Sequence, residues 1–304
     1  MLLTDQGTII DDLMFVNWGD PASAPVDKPP RASGECAGPQ LFLIVNGACK
    51  AGDIEHIQTR IGDRCQVLPM SERGLLALQG PKAVDALARV VPGVDALVFM
   101  TGSAFRWNDT NLYITRSGYT GEDGFEISVH ESQAEALARV LLAQPEVAPI
   151  GLGARNSLRL EAGLCLYGND IDTTTTPVEA GLNWAMQKVR RTGGARVGGF
   201  PGADVVLAQL DGNPAPARKR IGLIARERVP VRERTELQDM NGQHIGEVTS
   251  GLLGPSVDQP IAMGYVTPEF AAVGTPVQAI VRGKPVAMEV VAIPFLTPKY
   301  RRAP

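Results

Sequence analysis

The chain has 304 residues, of which 44% are hydrophobic, with 29 lysines and arginines against 33 aspartates and glutamates and a formal net charge of −4. This composition supports buried cores in about two domains and disfavours disorder. The acidic balance argues against a broad nucleic-acid surface, which needs an excess of basic side chains. No apolar run reaches the ~18 residues that span a bilayer, and the start of the chain lacks the pattern of a targeting signal. We therefore expect a cytoplasmic protein with neither membrane nor nucleic acid as a partner.

The cysteines and histidines show no spacing that is typical of a metal site. Cys36, Cys49, Cys65 and Cys165 form no CxxC pair, and no two of the three histidines are placed as in HExxH. Four cysteines are too few for a disulfide-based fold, so we expect free thiols. The GxSxG, GxxxxGK[ST] and strand-linked GxGxxG motifs are missing as well. We expect no metal cofactor and no nucleotide phosphate site.

Residues 8–16 are apolar around two adjacent acids, Asp11 and Asp12, and predict a strand. Because side chains alternate along a strand, we expect the two carboxylates on opposite faces and only one of them in a pocket. A turn with both acids in water is the alternative. Residues 19–40 are rich in proline, glycine, alanine and serine and predict a long surface loop. A short apolar run over 41–45 predicts a buried strand.

Helical and strand patterns alternate in the middle of the chain. Ser132 and Glu135 have the spacing of a capping box, which predicts a helix start at Ser132. Arg159 and Glu161 are interpreted as solvated charges on a later helix. The elements predicted in this region are strands at 75–78, 111–116 and 125–130, and helices starting at Pro81, Ser132 and Asn156.

After about Pro214 the sequence becomes a series of short strand-like segments. Asn241–Gly242 is a strong hairpin signal, and Arg282–Gly283 is a weaker one. Several short strands in succession predict a small antiparallel barrel as a separate domain. The predicted strands cover 221–225, 243–249, 261–266, 277–281 and 287–293.

The loop GYTGEDGFE at 118–126 is a candidate ligand site. Tyr119 could stack on a flat ring, and Glu126 could accept two hydrogen bonds from an amino-pyrimidine edge. A glycine-rich hairpin with a solvated acidic tip is the alternative. Arg155 could pair with a substrate carboxylate or with Glu126, or it could form an ordinary surface ion pair. The basic segment KYRR at 299–302 could bind an anion or be a frayed chain end.

Eight segments form an ordered set of motifs: GTIIDDL (7–13), VNGACKAGD (45–53), LALQGPKA (76–83), GYTGEDGFE (118–126), GLGARNSLRLEAGL (151–164), TPVEAGLNW (176–184), GGFPGA (198–203) and GEVTSG (246–251). In this order, over essentially the whole chain, they closely resemble the T-protein family, the aminomethyltransferases of the glycine cleavage system. The resemblance implies an α+β, folate-binding cloverleaf fold with a C-terminal antiparallel β-barrel. The domains expected are a partial lobe at 1–60, folate-binding lobes at 61–215 and a barrel domain at 216–304.

The resemblance also implies a reaction. Members of this family take an aminomethyl group from the dihydrolipoyl arm of a lipoylated H-protein. They transfer its one-carbon unit to tetrahydrofolate, which acts as acceptor substrate, and release ammonia. The expected partners are therefore an H-protein and tetrahydrofolate, and the expected role is in glycine catabolism.

The resemblance assigns roles to seven residues. Asp12 matches the catalytic position. The expected folate or substrate contacts are Asn46, Tyr119, Glu126, Arg155, Tyr300 and Arg302, with either Tyr300 or Arg302 matching the C-terminal contact. As a fixed anion, Asp12 would orient the folate and stabilise the iminium-like cation that forms as ammonia leaves.

Two features depart from the family pattern. Family members carry a substantial segment before the GTIIDDL region, whereas this chain begins almost at the acid pair, and Asn156 stands where an aspartate is expected after the arginine. The alternatives are a non-catalytic or truncated folate-binding paralogue and a tetrahydrofolate-dependent demethylase. A KGCYxGQE-like stretch, typical of the iron–sulfur maintenance branch, is not found.

Overall fold

The computed structural model of the chain describes residues 1–19 and 40–303, so Cys36 and nearly all of the loop predicted at 19–40 lie outside the described residues. The chain divides into two compact units. The first unit comprises Met1–Leu13, Val45–Glu55 and Asn156–Thr297. The second comprises the described parts of 14–44, 56–155 and 298–304. Within the described residues, no helix has both the length and the apolar character needed to cross a lipid bilayer.

Helices and strands are mixed along the chain. The helices are α1 (Lys50–Ile61), α2 (Ala83–Val90), α3 (Glu131–Leu142), α4 (Leu152–Glu161) and α5 (Ala203–Leu210). The strands are β1 (Leu2–Leu3), β2 (Ile9–Asp11), β3 (Met14–Gly19), β4 (Gln40–Ile44), β5 (Arg73–Gln79), β6 (Gly102–Trp107), β7 (Thr110–Thr115), β8 (Gly124–His130), β9 (Lys219–Ala225), β10 (Glu236–Gln238), β11 (His244–Gly254), β12 (Gln259–Val266), β13 (Pro276–Val281) and β14 (Lys284–Val291).

A four-stranded antiparallel sheet in the order β5-β8-β7-β6 forms the centre of the second unit. The strands predicted at 75–78, 111–116 and 125–130 correspond to β5, β7 and β8, so these predictions are confirmed. Helices α2 and α3 pack on this sheet through fully buried side chains, including Leu87, Leu137 and Phe125. Burial of each such side chain contributes about 2 kcal/mol relative to exposure, so the packed helices and the sheet stabilise one another.

The start of α3 differs from the prediction. The backbone N–H of Ser132 donates to His130 Nδ1 at 3.3 Å, and the helix begins at Glu131. Strand β8 runs directly into the helix, so its last residue, His130, becomes the N-cap and Ser132 lies inside the first turn. The capping box predicted from Ser132 and Glu135 is therefore wrong.

Strands β3 and β4 pair as a two-stranded antiparallel sheet. The strand predicted at 41–45 exists, but it is not buried, because Leu41 and Leu43 are 57% and 36% exposed. Antiparallel sheets commonly leave one face open to solvent, which an apolar run of five residues does not reveal. Phe42 lies on the other side of the strand, stacked on Trp18 with ring centroids 4.8 Å apart.

The apolar stretch predicted as one strand at 8–16 forms two strands in different units. Strand β2 ends at Asp11, and β3 begins at Met14. Within the first unit, β2 pairs with β1 and fully buries Ile9, whose backbone N–H donates to the Thr175 carbonyl at 2.9 Å. Ile9 packs in a small core with Cys165, Ile171, Val178 and Val206. The break leaves Asp12 directly after the end of β2.

The first unit also contains a closed antiparallel barrel in the order β10-β11-β12-β9-β14-β13. The barrel prediction and its five strands are confirmed, and a sixth strand, β10, was missed because it has only three residues. Arg282 and Gly283 join β13 to β14 with φ values of 51° and 75°. Two consecutive residues at positive φ are typical of a two-residue type I′ hairpin, which agrees with the predicted turn.

Helix α4 starts four residues before the predicted Asn156, and its last turn is buried. Arg159 and Glu161 are each 2% exposed, so the expectation of solvated charges is wrong. Glu161 Oε1 accepts the backbone N–H groups of Ser256 at 2.6 Å and Val257 at 3.1 Å. The carboxylate of α4 thereby holds the turn between β11 and β12.

Arg159 belongs to a buried polar network that includes the GEVTSG motif. Its Nη1 donates to Asp170 Oδ2 at 2.7 Å, and its Nη2 donates to Ser250 Oγ at 2.8 Å. Ser250 Oγ donates to Asp170 Oδ2 at 2.8 Å, and Thr249 Oγ1 donates to Asp170 Oδ1 at 2.5 Å. Each buried charge therefore has an opposite charge and further hydrogen bonds, the condition under which a buried pair is tolerated.

Replacing Asp170 by asparagine should strongly destabilise the first unit. Asp170→Asn leaves the Arg159 charge buried without its counter-charge, which typically costs about 3–5 kcal/mol. Urea unfolding followed by circular dichroism measures the change. Asp258→Asn is the matched control, because it removes an exposed ion pair with Arg228 and should change the unfolding free energy by less than about 1 kcal/mol. Equal effects of the two substitutions would contradict the network.

Candidate functional site

Asn46 holds the two adjacent acids of the first unit together. Its side-chain Nδ2 donates to Asp11 Oδ1 and to Asp12 Oδ1, each at 2.8 Å. Its backbone N–H donates to Asp11 Oδ2 at 3.3 Å. The expectation that the two carboxylates point to opposite faces is wrong. Because β2 ends at Asp11, strand alternation no longer applies to Asp12, and both side chains reach one amide group.

The two acids have different surroundings. Asp11 is fully buried, whereas Asp12 is half-buried. Burial is the largest cause that raises the pKa of Asp12, from 3.8 to about 6, and the Asp11 charge raises it further, while the hydrogen bond from Asn46 opposes the shift. Asp12 is therefore mostly ionised at neutral pH. A half-buried carboxylate of this kind can stabilise a nearby cation, or exchange a proton close to pH 6.

Two further titratable residues lie beside this pair, Cys49 and Asp53. The sequence analysis did not predict a role for either. The backbone N–H of Cys49 donates to the Asn46 carbonyl at 3.0 Å, and the N–H of Asp53 donates to the Cys49 carbonyl at 2.9 Å. This turn leads into α1 and places Asp53 in its first turn, fully buried. Burial and the Asp11 carboxylate raise the pKa of the Cys49 thiol to about 11. The signal was present, since both residues belong to the VNGACKAGD motif.

In the second unit, the glycines of the 118–126 loop accommodate a side chain of the protein. A Cβ at Gly118 would lie 1.8 Å from Gln79 Oε1, and a Cβ at Gly124 would lie 2.6 Å from Gln79 Nε2. Gln79 Nε2 donates to the Ser117 carbonyl at 3.0 Å, and Thr120 Oγ1 donates to Gln79 Oε1 at 3.0 Å. These two glycines are thus explained by Gln79, which fastens the loop to β5. The alternative of a purely solvated acidic tip also fails, because Asp123 pairs with the buried Arg116.

Tyr119, Glu126 and Arg155 form a second group of predicted residues. The Arg155 guanidinium lies 4.4 Å from the centre of the Tyr119 ring, a cation–π contact. The Ser117 hydroxyl donates to Glu126 Oε2 at 2.6 Å. Burial raises the pKa of Glu126, while the Ser117 hydrogen bond and the Arg155 charge oppose the shift. An aromatic ring, a guanidinium and a shielded carboxylate are therefore available on this unit to bind a flat, polar heterocycle.

The C-terminal segment is fixed to the second unit rather than frayed. The Tyr300 ring stacks on Phe99 with centroids 3.8 Å apart and an interplanar angle of 6°. The Arg302 guanidinium lies 5.3 Å from the centre of the Phe99 ring. The N–H of Lys299 donates to the Gly121 carbonyl at 2.9 Å, and the N–H of Phe99 donates to the Arg301 carbonyl at 2.7 Å. Tyr300 and Arg302 are thus held in place, and their predicted role in folate binding stays a prediction.

The seven predicted site residues fall into three local groups. Asp12 and Asn46 lie together in the first unit. In the second unit, Tyr119 and Arg155 are in contact with each other, and the Arg155 charge opposes the rise that burial causes in the pKa of Glu126. Also in the second unit, Tyr300 and Arg302 both contact the Phe99 ring. Among residues 1–19 and 40–303, no cluster of three or more His, Cys, Asp or Glu side chains is arranged to hold a metal ion. Among the described cysteines, Cys49, Cys65 and Cys165 form no disulfide.

Comparison with known proteins gives two family matches in tandem. Residues 35–190 match the GCVT N-terminal domain, and residues 218–296 match the glycine cleavage T-protein C-terminal barrel domain. The chain belongs to the glycine cleavage T-protein family. The resemblance stated from the sequence motifs is thereby confirmed, and so is the T-protein fold class, with its C-terminal antiparallel barrel.

Individual T-protein relatives cover nearly all of this chain. Mitochondrial aminomethyltransferase of Dictyostelium discoideum is 38% identical over 98% of this chain and 72% of the relative. The mitochondrial enzyme of Solanum tuberosum is 45% identical over 86% of this chain, which spans 64% of that relative's length. The crystal structure of the glycine cleavage system aminomethyltransferase T from Bartonella henselae superposes with a TM-score of 0.84 at 42% identity, covering 99% of this chain and 76% of that one. The main functional prediction, an aminomethyltransferase, is thus supported by its relatives.

The contact between Asn46 and Asp12 should be visible in the titration of the Asp12 carboxyl group. The Asp12 carboxyl should titrate near pH 6, well above its ordinary 3.8. Asn46→Ala removes a donor to the ionised form, so the pKa of Asp12 should rise further. Carbon-13 NMR of labelled aspartate side chains measures both values. Gln243→Ala, which removes an exposed amide in the barrel hairpin, is the control; an Asp12 pKa that is the same in Asn46→Ala as in this control would contradict the contact.

Proposed function

We propose that this chain transfers a one-carbon unit from an aminomethyl group, carried on the dihydrolipoyl arm of a lipoylated H-protein, to tetrahydrofolate. In this reaction the carbon–sulfur bond to the arm and the carbon–nitrogen bond to ammonia break. Two bonds form from the same carbon to N5 and N10 of the folate. Each folate nitrogen loses one proton. One of these protons completes the thiol of the arm and the other completes the released ammonia, so no oxidant or reductant is needed.

The observation that carries this proposal is the arrangement of Asp12 and Asn46 in a member of the T-protein family. A carbon leaving ammonia passes through an iminium-like cation, which a fixed carboxylate stabilises if it is ionised and oriented beforehand. Asn46 orients the Asp12 carboxylate. The pKa of Asp12, about 6, means that this carboxylate is mostly ionised at neutral pH. Because this pKa is close to neutral pH, Asp12 can also exchange a proton with the departing nitrogen or with the folate.

The second unit supplies side chains that suit tetrahydrofolate as acceptor substrate. A pterin is a flat ring with an amino-pyrimidine edge. Tyr119 and Arg155 offer a ring and a guanidinium plane for stacking, and the Glu126 carboxylate can accept hydrogen bonds from the amino-pyrimidine edge. The anchored Tyr300 and Arg302 are further candidates for substrate contacts. A role in glycine catabolism and the H-protein partner come to this chain from its family relationship.

The cellular location is a separate prediction. The composition favours a cytoplasmic protein, whereas several relatives of this chain carry mitochondrial names. We retain the cytoplasm as the prediction. Fractionation of cells that express the natural protein, with immunoblotting of the cytosolic and organelle fractions, decides between the two compartments.

Substitution of Asp12 tests the proposed reaction. The purified chain, given aminomethyl-loaded H-protein and tetrahydrofolate, should release ammonia, and Asp12→Asn should slow that release roughly a hundredfold, equivalent to about 3 kcal/mol of barrier. Asp63→Asn, an exposed aspartate, is the matched control. Folate binding without ammonia release would favour the non-catalytic alternative. Full activity of Asp12→Asn would overturn the assignment of Asp12.

Substitution of Glu126 tests the acceptor site separately. Glu126→Gln keeps the shape of the side chain and removes its charge, so tetrahydrofolate should bind at least about tenfold more weakly, as expected for a hydrogen bond worth about 1.5–3 kcal/mol. Isothermal titration calorimetry measures the dissociation constant. Glu135→Gln on the exposed face of α3 is the control and should bind as the wild type does. Equal affinities for both variants would exclude Glu126 from the folate site.

A further inference from the structure

Asp53 is a fully buried acid for which the proposed reaction gives no role. In the described part of the chain, no N–H, thiol or hydroxyl group lies within hydrogen-bond distance of either oxygen of its carboxyl group. An ionised carboxylate in such a position is strongly unfavourable, because neither water nor a donor replaces its hydration. The carboxyl group must therefore carry a proton, and the proton needs an acceptor.

The acceptor available to Asp53 is the carboxyl group of Asp11, which is also fully buried. Asp11 receives hydrogen bonds from the side chain and the backbone of Asn46. Asp11 is therefore well supplied with donors and is suited to be the anion, whereas Asp53 has none and is suited to be the acid. Two carboxyl groups can bond to each other only through a proton that they share.

We propose that Asp53 and Asp11 share one proton, with Asp53 as the donor, and that this pair positions the Asp12 carboxylate through Asn46. The chain of hydrogen bonds runs from Asp53 to Asp11, from Asp11 to the Asn46 amide, and from that amide to Asp12. Asp53 is a positioning residue, because it acts through the residues between. The expected effect of Asp53 on kcat rests on the proposed aminomethyl transfer. The shared proton itself does not depend on that function.

The charges around the pair are consistent with a proton on Asp53. Burial, followed by the hydrogen bond and the charge of Asp11, raises the pKa of Asp53 from 3.8 to about 7. Cys49, with a pKa of about 11, and Tyr167, whose pKa burial also raises, both stay neutral in this range. Asp12 changes charge at a lower pH, near 6. Loss of the Asp53 proton above about pH 7 would leave two buried, negatively charged carboxylates that repel each other.

Two substitutions of Asp53 separate positioning from packing. Asp53→Asn can still donate an N–H to Asp11 but cannot lose a proton, whereas Asp53→Leu has a similar volume and no donor. In the wild type, kcat for ammonia release should fall as the pH rises above about 7. This fall should be absent in Asp53→Asn. Asp53→Leu should lower kcat by between about tenfold and about a hundredfold with a smaller change in KM, and Asp53→Asn should recover most of that loss.

Stability tests the shared proton without reference to activity. A raised pKa means that the folded chain binds this proton more tightly than the unfolded chain does, so the stabilisation is complete at low pH and is lost as the pH rises from 3.8 to about 7. The wild type should therefore lose more unfolding free energy over this range than Asp53→Asn does. Urea unfolding at a series of pH values measures it, with the fully exposed Asp109→Asn as control.

The outcomes distinguish this proposal from the proposed function. If Asp53→Asn and the wild type lose stability equally with rising pH, there is no shared proton. If the two Asp53 variants lower kcat equally, or keep the alkaline fall of kcat, Asp53 does not position Asp12. If the wild type releases no ammonia while the stability difference is found, the transfer function fails and the shared proton stands.

Discussion

One side-chain amide controls the geometry of the acid pair in the first unit. Asn46 Nδ2 donates to Asp11 and to Asp12 at 2.8 Å each, where strand alternation alone would separate the two carboxylates. Adjacent carboxylates repel each other, and the repulsion is stronger where burial lowers the effective dielectric constant. The amide offsets this repulsion with a donor for each acid. Because the hydrogen bond from Asn46 opposes the rise that burial causes in the pKa of Asp12, the bridge also favours the ionised state of Asp12 at neutral pH.

Several of the family motifs serve the fold rather than the chemistry. Thr249 and Ser250 of the GEVTSG motif complete the hydrogen bonding of Asp170, the counter-charge of the buried Arg159. Gln79 of the LALQGPKA motif fills the space that the absence of side chains at Gly118 and Gly124 leaves open. Buried polar networks of this kind are strongly unfavourable when one member is lost, so each residue is constrained by its partners. Once these structural residues are set aside, the candidates for contact with substrate are the acid pair and the residues around Glu126.

The barrel and the strands of the four-stranded sheet were predictable from the sequence, because alternation and turn residues such as Arg282–Gly283 are local signals. The capping of α3 by His130 was not, since it depends on β8 running directly into the helix. The burial of Arg159 was also hidden, because its partner Asp170 lies beyond the end of α4 and the pairing depends on how the chain turns back after that helix. At the site, motif resemblance predicted roles for Asp12, Asn46 and Glu126. It gave no indication that β2 ends at Asp11, or that Asp53 comes from the next helix to face the pair.

Asn46 is expected to act on the reaction only through Asp12. A double-mutant cycle on kcat measures this coupling most directly. The rate of ammonia release is compared for Asp12→Asn, Asn46→Ala and the double variant, each with saturating tetrahydrofolate and aminomethyl-loaded H-protein. If the amide contributes only by orienting the carboxylate, the double variant should be about as slow as Asp12→Asn alone, because residues that act as a unit are not additive. Two independent losses that multiply in the double variant would contradict the account.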